Sequence, residues 1–485
     1  MTATLARLIG SDAATPNGKA AMAIAGITAD SREVKPGYVF AALPGTLADG
    51  ASFIPSAIAA GAVAVIATEG VTASVPVIAT ANPRRLFSLM AARFFGAQPD
   101  LVVAVTGTSG KTSVAAFVRE IWTSMGFRAA SLGTVGLVGP SGMTELEHTT
   151  PDPVKLHEVA AKLAADHVHH LAIEASSHGL SQYRLDGLRL AAGAFTNLSR
   201  DHLDYHASVD DYFNAKMRLF EELLPRGAPA VVNSDSPKAQ DVMKRAAAQG
   251  LEIISVGRNG AALKLISAER EGFGQRLEIQ GTAHRYSLML PLVGDFQASN
   301  ALVAAGLVIA TGGKEELVFH ALESLRGARG RLDFVARSRT GAPIFVDYSH
   351  KPDALENAIL ALRPYVAGKL HVVFGCGGDR DKGKRPLMGA VAAKLADRLY
   401  VTDDNPRTED PAAIRAEIMA ASPGAVEIGN RAEAIRAAVE TLGTGDLLLV
   451  AGKGHEEGQK IGKTVIPFSD HEAVKAAVAG VEYRG

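Results

Sequence analysis

From Leu101 to the carboxyl terminus, short apolar runs alternate with segments of helical periodicity. Runs such as LVVAVTG (101–107), HLAIEAS (170–176) and PAVVN (229–233) have the length of buried strands. Strands that alternate with helices form parallel sheets, because each crossover helix returns the chain to the same edge. The chain has 485 residues, which is too long for one hydrophobic core. We therefore predict an α/β protein with more than one sheet.

The pattern changes at two points, and these divide the chain into three predicted domains. Residues 1–97 combine short strands and turns and end at the polar segment FFGAQPD, as expected of a small mixed α/β domain. Residues 98–331 form a central domain with a parallel sheet. The alternation restarts after RGARGRLDF, so residues 332–485 form a Rossmann-like α/β domain at the carboxyl end.

Charge and cysteine content exclude several classes of protein. The net charge is −1, so no global field favours nucleic acid or an acidic membrane surface. A single cysteine excludes an internal disulfide framework and a zinc site with several cysteines. The amino terminus lacks the apolar core of a signal peptide, and no apolar run has the length of a bilayer span. We expect a cytoplasmic protein that binds neither nucleic acid nor membranes.

The segment AVTGTSGKTSVAAFV (104–118) joins a predicted strand to a predicted helix. Its glycines allow the backbone N–H groups to point at a phosphate, and the helix amino terminus adds positive potential. Lys111 is placed to reach the β and γ phosphates, and the Thr112 hydroxyl to bind Mg²⁺. The alternative is an ordinary strand-to-helix turn. The segment predicts a nucleotide site of the P-loop type, without saying what is done with the nucleotide.

Three polar positions of the central domain are open to more than one interpretation. Glu174 comes late in an apolar strand, where a carboxylate is costly unless it is paired or bound to a metal ion. Mg²⁺ near Lys111 would explain it, and a salt-bridged strand end is the alternative. His202 and His206 are four residues apart but lack the glutamate and third ligand of a zinc site. Lys216 lies on an amphipathic helix and, taken alone, is expected to be solvated.

Charged loops follow the predicted strands of the carboxyl-terminal domain. They read DYSHKPD, CGGDRDKGKRP, TDDNPRTEDP and AGKGHEEGQ. They carry more charge than turns need, although solvated turns are the alternative. Arginine binds carboxylates in a bidentate manner and acidic side chains bind ammonium groups. Since ligands of parallel sheets bind at the carboxyl edge, the loops predict a pocket for a small zwitterion.

Taken together, the motifs resemble those of the ATP-dependent Mur ligases of bacterial peptidoglycan synthesis. The match runs from DSREVKPGYVF to AGKGHE. TGTSGKTS and EASSHGL are highly specific signatures, and GGDRDKGKRPLM and DNPR are more specific still. DNPR is the form found in members that add diaminopimelate. The resemblance implies a monomeric enzyme of cell-wall synthesis with UDP-substrate, ATP-binding and amino-acid-binding domains. It would add meso-2,6-diaminopimelate to UDP-N-acetylmuramoyl-L-alanyl-D-glutamate through an acyl phosphate, using ATP and Mg²⁺.

The resemblance also assigns roles to individual residues. The UDP part would contact Ser31, Thr46, Leu47 and Ala48. The muramoyl-dipeptide would contact Thr149, Thr150, Ser176, Gln182 and Arg184. ATP would contact Gly107, Thr108, Ser109, Gly110, Lys111, Thr112, Ser113, Asn300, Arg331 and Asp347. Mg²⁺ would be held by Thr112, Glu174, His202 and Lys216, the last carbamylated, and the catalytic set would be Lys111, Glu174, His202 and Lys216. Diaminopimelate would contact Arg380, Asp404, Asn405, Pro406, Arg407, Gly452 and Glu456.

Two other interpretations of the sequence are open. The chain could be a sister ligase that adds lysine or a dipeptide, or one similar to folylpolyglutamate synthetase. Diaminopimelate is favoured because its distal carboxylate suits Arg407, toward which lysine would bring only an ammonium group. The chain could also be a nucleotide-dependent switch or binding module. The dense charged loops of the third domain argue against a switch.

Overall fold

The computed structural model of the chain describes residues 3–45, 49–199, 201–202 and 205–483. It forms two compact units, of which the first comprises residues 1–266, 278–286 and 299–322, and the second the remainder. The predicted α/β fold is confirmed, because each of the three predicted domains contributes a sheet of mainly parallel strands. In the part of the chain just given, no helix is long and apolar enough to cross a membrane.

The amino-terminal region of the first unit is built on a four-stranded parallel sheet. Its strands are β3 (Gly26–Thr28), β4 (Tyr38–Ala41), β5 (Ala62–Ala67) and β6 (Val77–Ala79). Two further strands, β1 (Ala3–Thr4) and β2 (Ala23–Ile24), form a separate antiparallel pair. The helices are α1 (Leu5–Ile9), α2 (Ile54–Ala59) and α3 (Pro83–Phe95), with a 3₁₀ turn at Gly50–Phe53. Leu5, Leu8 and Phe87 pack from the helices into the core of this sheet.

The central region contains the strand that leads into the glycine loop. Its strands are β7 (Leu101–Thr106), β8 (Ala129–Gly133), β9 (Gly136–Gly139), β10 (Gly142–Thr144), β11 (His170–Glu174), β12 (Leu190–Phe195), β13 (Pro229–Asn233), β14 (Glu252–Gly257), β15 (Leu263–Glu271), β16 (Gly274–Gln280) and β17 (Arg285–Leu290). The sheet order is β10-β9-β8-β11-β7-β12-β13-β14-β15-β16-β17. Because β7 lies between β11 and β12 in parallel register, the residues after those two strands flank the loop that follows β7.

The helices of this region are α4 (Lys111–Ser124), α5 (Pro153–Ala165), α6 (Ser177–Ser181), α7 (Val209–Arg218), α8 (Ala239–Ala248), α9 (Asp295–Ala310) and α10 (Glu315–Leu322), with a π-helical turn at Leu219–Leu223. Local sequence explains where several of them begin. The Asp152 carboxylate accepts hydrogen bonds from two N–H groups at the start of α5, and Pro153 fills its first position. The Ser208 hydroxyl caps α7 in the same manner.

The second unit contains a six-stranded sheet in the order β18-β19-β23-β20-β21-β22. Its strands are β18 (Asp333–Arg337), β19 (Pro343–Asp347), β20 (Leu370–Phe374), β21 (Arg398–Val401), β22 (Val426–Glu427) and β23 (Leu447–Ala451), followed by the hairpin β24 (Gly458–Ile461) and β25 (Thr464–Pro467). The helices are α11 (Pro352–Leu362), α12 (Lys384–Leu395), α13 (Pro411–Met419), α14 (Arg431–Glu440) and α15 (Asp470–Ala479), with a 3₁₀ turn at Arg363–Tyr365. Since β19, β23, β20 and β21 are parallel, the loops after them meet at one edge.

Candidate active site

The loop of residues 107–110 joins β7 to α4 and has the strand–loop–helix geometry that the sequence predicts. Gly107 has a φ of 145°, and a Cβ atom there would lie 1.9 Å from Thr196 Oγ1, so only glycine fits. The side-chain oxygen of Asn300 approaches to 2.4 Å from the Cβ position of Gly110. The first unit therefore brings the predicted residue Asn300 next to the glycine loop.

Residues that follow β12 hold this loop in place. The N–H groups of Thr108 and Ser109 donate to the backbone and side-chain oxygens of Asn197, both at 2.9 Å. The Thr196 hydroxyl donates to the Ser109 carbonyl at 2.6 Å. Sequence reasoning did not select Thr196 or Asn197. The signal was available, since TNLS follows a predicted strand at the same edge as the glycine loop.

Lys111 is the first residue of α4, and its side chain turns back to the loop. Its Nζ donates to the carbonyls of Gly107 at 2.9 Å and Thr108 at 2.8 Å. The next residue, Thr112, donates its hydroxyl to Glu174 Oε2 at 3.0 Å. The positive charge is thus fixed beside a strand-to-helix loop, which is the arrangement that binds phosphate in nucleotide sites.

Glu174 ends β11 with only 1% of its surface exposed. Its carboxylate accepts hydrogen bonds from the Thr134 N–H group at 2.7 Å and hydroxyl at 3.2 Å, besides that of Thr112. A Cβ atom at Gly133 would lie 2.0 Å from Glu174 Oε1, so glycine leaves the space that the carboxylate occupies. These three donors are neutral, and a carboxylate beside a hydroxyl is a donor set that suits Mg²⁺. Thr112 and Glu174 therefore fit the predicted ion.

Lys216 contradicts the expectation of a solvated side chain, because it is only 1% exposed. It follows Tyr212 by four residues on α7, so both lie on the buried face of that helix. Its Nζ donates to the Gly107 carbonyl at 2.8 Å and lies 4.1 Å from the centre of the Tyr212 ring. Burial, helped by the nearby charge of Lys111, lowers the pKa of Lys216 well below its usual value. A lowered pKa favours the neutral amine, which is the form that reacts with CO₂.

His202 lies near the same loop but is 41% exposed at its side chain. Its ring centre is 4.9 Å from that of His178 and 6.0 Å from that of Tyr212, whose hydroxyl reaches Thr108 Oγ1 at 3.2 Å. Among the residues that the structure describes, no group of three or more His, Cys, Asp or Glu side chains is arranged to hold a metal ion. Mg²⁺ is normally held by one or two carboxylates together with waters and phosphates.

The predicted dipeptide-binding residues come together beside the carboxyl end of β11. The Thr150 hydroxyl donates to the Glu174 carbonyl at 2.8 Å and lies 2.9 Å from Ser176 Oγ. Arg184 donates to the Thr150 carbonyl at 2.6 Å and to Gln182 Oε1 at 2.9 Å. In the same region, the Thr149 hydroxyl lies 3.1 Å from that of Thr134.

The predicted UDP residues lie in the amino-terminal region of the first unit. Ser31 is half-buried in the loop after β3. Thr46, Leu47 and Ala48 lie outside the residues that the structure describes.

In the second unit, the predicted nucleotide residues Arg331 and Asp347 lie near the end of β19. The Asp347 carboxylate accepts hydrogen bonds from the N–H groups of Leu332 at 2.7 Å and Ser349 at 2.8 Å. Its burial raises the pKa of this carboxyl above the usual value. The Arg331 guanidinium carbon lies 4.7 Å from the centre of the Tyr348 ring. Asp347 is thus held rigidly at the carboxyl edge of the sheet.

The predicted diaminopimelate residues meet at this edge, in the loops after β21 and β23. Asn405 donates its amide to Glu456 Oε2 at 2.9 Å. Asp404 Oδ2 lies 2.9 Å from the Cβ position of Gly452. Arg407 has a φ of 52° and donates to the Gly378 carbonyl at 2.6 Å. Acidic, amide and guanidinium groups of the predicted set therefore lie in one loop cluster.

Two predicted residues take less part in this cluster. The carbonyl of Pro406 lies 1.9 Å from the Cβ position of Gly378, so Pro406 serves as a backbone contact between the loops. Arg380 donates to the carbonyl of its neighbour Asp379 at 3.3 Å, and its side chain is exposed. Lys453, which the sequence showed only as part of the AGKGHE motif, is buried in the centre of the cluster.

An ion-pair network links the buried Arg385 of α12 to Glu409, in the loop after β21, and to Glu417 of α13. Arg385 is fully buried and donates to Glu409 at 2.9 and 3.1 Å and to Glu417 at 3.0 Å. Glu409 also accepts from the Asp379 N–H group at 2.6 Å. The Arg385 guanidinium lowers the pKa of Glu409 to about 2. These contacts fix the loop that carries Arg407.

We expect Glu409→Gln to lower the melting temperature at pH 7. A carboxyl with a depressed pKa stabilises the fold above its unfolded pKa of about 4.3, and this contribution is lost as the pH falls toward 2. The difference from the wild type should therefore shrink between pH 4.5 and pH 2, as followed by thermal unfolding at each pH. Glu440→Gln, which removes an exposed pair with Arg436, is the control with little expected effect. A difference that stays constant down to pH 2 would contradict the role of the charge.

The chain is similar to known proteins in its domains, its whole sequence and its fold. Family models match residues 23–95 (Mur ligase family, catalytic domain), 105–308 (Mur ligase middle domain) and 330–454 (Mur ligase, glutamate ligase domain). A protein of Bradyrhizobium diazoefficiens named UDP-N-acetylmuramoyl-L-alanyl-D-glutamate–2,6-diaminopimelate ligase is 56% identical over 479 residues, covering 97% of this chain and 98% of the relative. A protein of the same name from Agrobacterium fabrum is 54% identical over 462 residues, covering 95% and 94%. A solved structure titled with that name superimposes with a TM-score of 0.74 and 30% identity, covering 99% of both chains.

Proposed function

The chain belongs to the Mur ligase family, and from this premise we propose how its residues carry out ligation. It is an ATP-dependent ligase that adds 2,6-diaminopimelate to UDP-N-acetylmuramoyl-L-alanyl-D-glutamate in peptidoglycan synthesis. The observation that carries this function is 56% identity over 479 residues to a ligase of that name. Our proposals concern the residues, the intermediate and the metal ion.

We propose that residues 107–113 bind the phosphates of ATP and that the D-glutamate carboxylate attacks the γ-phosphorus. Lys111 and the loop N–H groups would stabilise the charge that spreads over the phosphate oxygens. The products of this step are ADP and an acyl phosphate. An amine of diaminopimelate then attacks the acyl carbon, an amide bond forms, and phosphate leaves. Positioning and charge neutralisation therefore suffice, without a nucleophilic side chain.

Thr112 and Glu174 are the residues that would hold Mg²⁺, with His202 and carbamylated Lys216 nearby. The ion would supply positive charge to the phosphate oxygens of ATP. Glu174 supports this assignment because it is buried and accepts only neutral donors in the contacts described above. Thr134 would fix the carboxylate in the orientation that the ion requires. Lys216 would contribute a second carboxylate after reaction with CO₂.

We expect Lys216→Met to lower kcat at least about 100-fold, because the variant cannot form the carbamate that would complete the site. With ¹³C-labelled bicarbonate, the wild type should give a carbamate signal in NMR at alkaline pH, and the variant should give none. Lys244→Met, which changes an exposed lysine of α8, is the matched control. A Lys216→Met enzyme with unchanged kcat, or a wild type without the signal, would exclude carbamylation as a requirement.

We propose that the loops after β21 and β23 bind meso-diaminopimelate. Asp404 and Glu456 would bind its ammonium groups, while Asn405 and Arg407 would bind its carboxylates. The convergence of these four residues at one sheet edge supports the assignment. The UDP part would be bound by the region of residues 1–97, with 98–331 and 332–485 as the ATP-binding and amino-acid-binding domains. We further propose a monomer that acts in the cytoplasm.

The function is tested by incubating the purified protein with ATP, Mg²⁺, UDP-N-acetylmuramoyl-L-alanyl-D-glutamate and meso-diaminopimelate. We expect ADP and the tripeptide product in equal amounts, and neither when diaminopimelate is omitted. Parallel reactions test the sister ligases. One replaces diaminopimelate with L-lysine, one supplies a dipeptide together with its own acceptor, and one supplies folate and glutamate. ADP release that ignores the omission of diaminopimelate would indicate a nucleotide switch instead.

A further inference from the structure

Lys453 follows β23 and is the buried cation of the diaminopimelate loop cluster, with no exposed surface. Its Nζ donates to three acceptors: Asn405 Oδ1 at 3.1 Å, Glu456 Oε2 at 2.9 Å and the Gly458 carbonyl at 2.7 Å. An ammonium group has three N–H bonds, so these contacts use its full donor capacity. Lys453 therefore has no direct contact left to offer a substrate, and its effect must pass through its partners.

The contact with Asn405 fixes which way its amide faces. Lys453 can only donate, so the amide atom that faces it must be the oxygen. The Lys460 N–H group donates to the same oxygen at 2.9 Å. The amide nitrogen is thereby turned to the other side, where one of its N–H bonds meets Glu456 Oε2 at 2.9 Å. Because the amide orientation is fixed, the direction of the second N–H bond of this nitrogen is fixed as well. That N–H bond is a donor suited to a substrate carboxylate.

The β24–β25 hairpin completes this frame, and Lys453 binds its first residue, Gly458. The hairpin residues Lys460 and Gly462 hydrogen-bond to the N–H and carbonyl groups of Arg407 at 2.9 and 2.6 Å. Arg407 has a φ of 52°, which is uncommon for a residue other than glycine and persists only where neighbours enforce it. Gln459 donates to the Asp404 carbonyl at 2.7 Å. The frame therefore supports Asp404, Asn405 and Arg407 together.

We propose that Lys453 is a positioning residue that sets the Asn405 amide and the hairpin in the orientation that binds the amino-acid substrate. The inference rests on the proposed function, since it assumes that these loops bind diaminopimelate. Without Lys453, the Asn405 oxygen keeps the Lys460 N–H donor but loses its charged donor, so the amide is held less firmly in this orientation. Glu456 at the same time loses its buried countercharge. Both changes act on the amino-acid site and leave the glycine loop of the first unit untouched.

The test is Lys453→Met, with steady-state kinetics for each of the three substrates. We expect the KM for diaminopimelate to rise about 10- to 100-fold, the range for loss of hydrogen bonds to a charged group. The KM values for ATP and the UDP substrate should change less than about twofold. Lys453→Gln, which keeps an uncharged NH₂ donor on a side chain one bond shorter, should give a smaller rise. This variant provides the test if Lys453→Met does not fold.

The matched control is His371→Gln, because His371 is similarly buried but is the second residue of β20, at the opposite edge of the same sheet, beside Asp446. We expect this variant to lower thermal stability but to leave the KM for diaminopimelate unchanged. Equal changes in all three KM values for the Lys453 variants, or a diaminopimelate KM within twofold of the wild type, would overturn the positioning role. A wild type that forms no tripeptide with diaminopimelate would instead overturn the proposed function.

Discussion

Lys111→Met is expected to lower kcat for tripeptide formation about 1000-fold, the upper range for removal of one group that stabilises transition-state charge. In the structure, the Lys111 ammonium lies against the carbonyls of Gly107 and Thr108, at the loop where the ATP phosphates are proposed to bind. A cation fixed there would stabilise the γ-phosphate oxygens during the reaction. Methionine has a similar length but no charge, so the loop loses its cation and keeps its packing.

The measurement is the rate of ADP and tripeptide formation at saturating substrates, with thermal unfolding as a check on the fold. Lys155→Met is the matched control, because Lys155 lies on α5 and forms an exposed pair with Glu158. It should keep wild-type kinetics, since exposed pairs contribute little. If Lys111→Met retained more than about a tenth of the wild-type kcat, the loop would not be the site of phosphoryl transfer.

Arg407→Ala is expected to reduce kcat/KM for diaminopimelate about 1000-fold or more, because a buried polar site that loses a partner rejects its ligand strongly. Arg407 is the group proposed to bind the distal carboxylate, and its backbone is held by the hairpin in the left-handed region. Arg407→Lys should restore little of the activity, since an ammonium cannot make the bidentate contact of a guanidinium. Discrimination against L-lysine should fall at the same time, because the repulsion of its ammonium group is removed.

The kinetics of the Arg407 variants should be measured with diaminopimelate and with L-lysine, and the KM for ATP recorded in each case. Arg436→Ala, in an exposed pair on α14, serves as the control and should behave as the wild type. If Arg407→Ala kept its preference for diaminopimelate over lysine, specificity would have to come from another part of the loop cluster. An equal loss for ATP and diaminopimelate would indicate a general disturbance of the fold.

The features that sequence predicted well are those set by local chemistry. The glycine loop, the apolar strands β7, β11 and β19, and the charged loops of the second unit depend on short stretches of residues. The strands β8, β9 and β10 were missed because the segment ASLGTVGLVGPSGMT is rich in glycine and lacks a strand pattern. They form through pairing with β11 and with one another, which local propensity does not encode.

The site features that sequence missed depend on contacts between distant parts of the chain. The periodicity of α7 suggested a solvated Lys216, but its partner is the Gly107 carbonyl, 109 residues away along the chain. Thr134 reaches Glu174 across 40 residues, and Lys453 reaches Asn405 across 48. No pattern within a helix or loop reveals such pairs. Only the family resemblance indicated a special role for Lys216, and the sequence placed Lys453 in the charged AGKGHEEGQ loop without indicating that it is buried.

The most direct test of the central claim is the transfer of oxygen from substrate to phosphate. UDP-N-acetylmuramoyl-L-alanyl-D-glutamate labelled with oxygen-18 in its free γ-carboxylate is incubated with the enzyme, ATP, Mg²⁺ and meso-diaminopimelate, and the phosphate is analysed by mass spectrometry. If ATP activates the carboxylate as an acyl phosphate, each phosphate released carries one labelled oxygen. Tripeptide formation with unlabelled phosphate would contradict activation of the carboxylate by phosphoryl transfer.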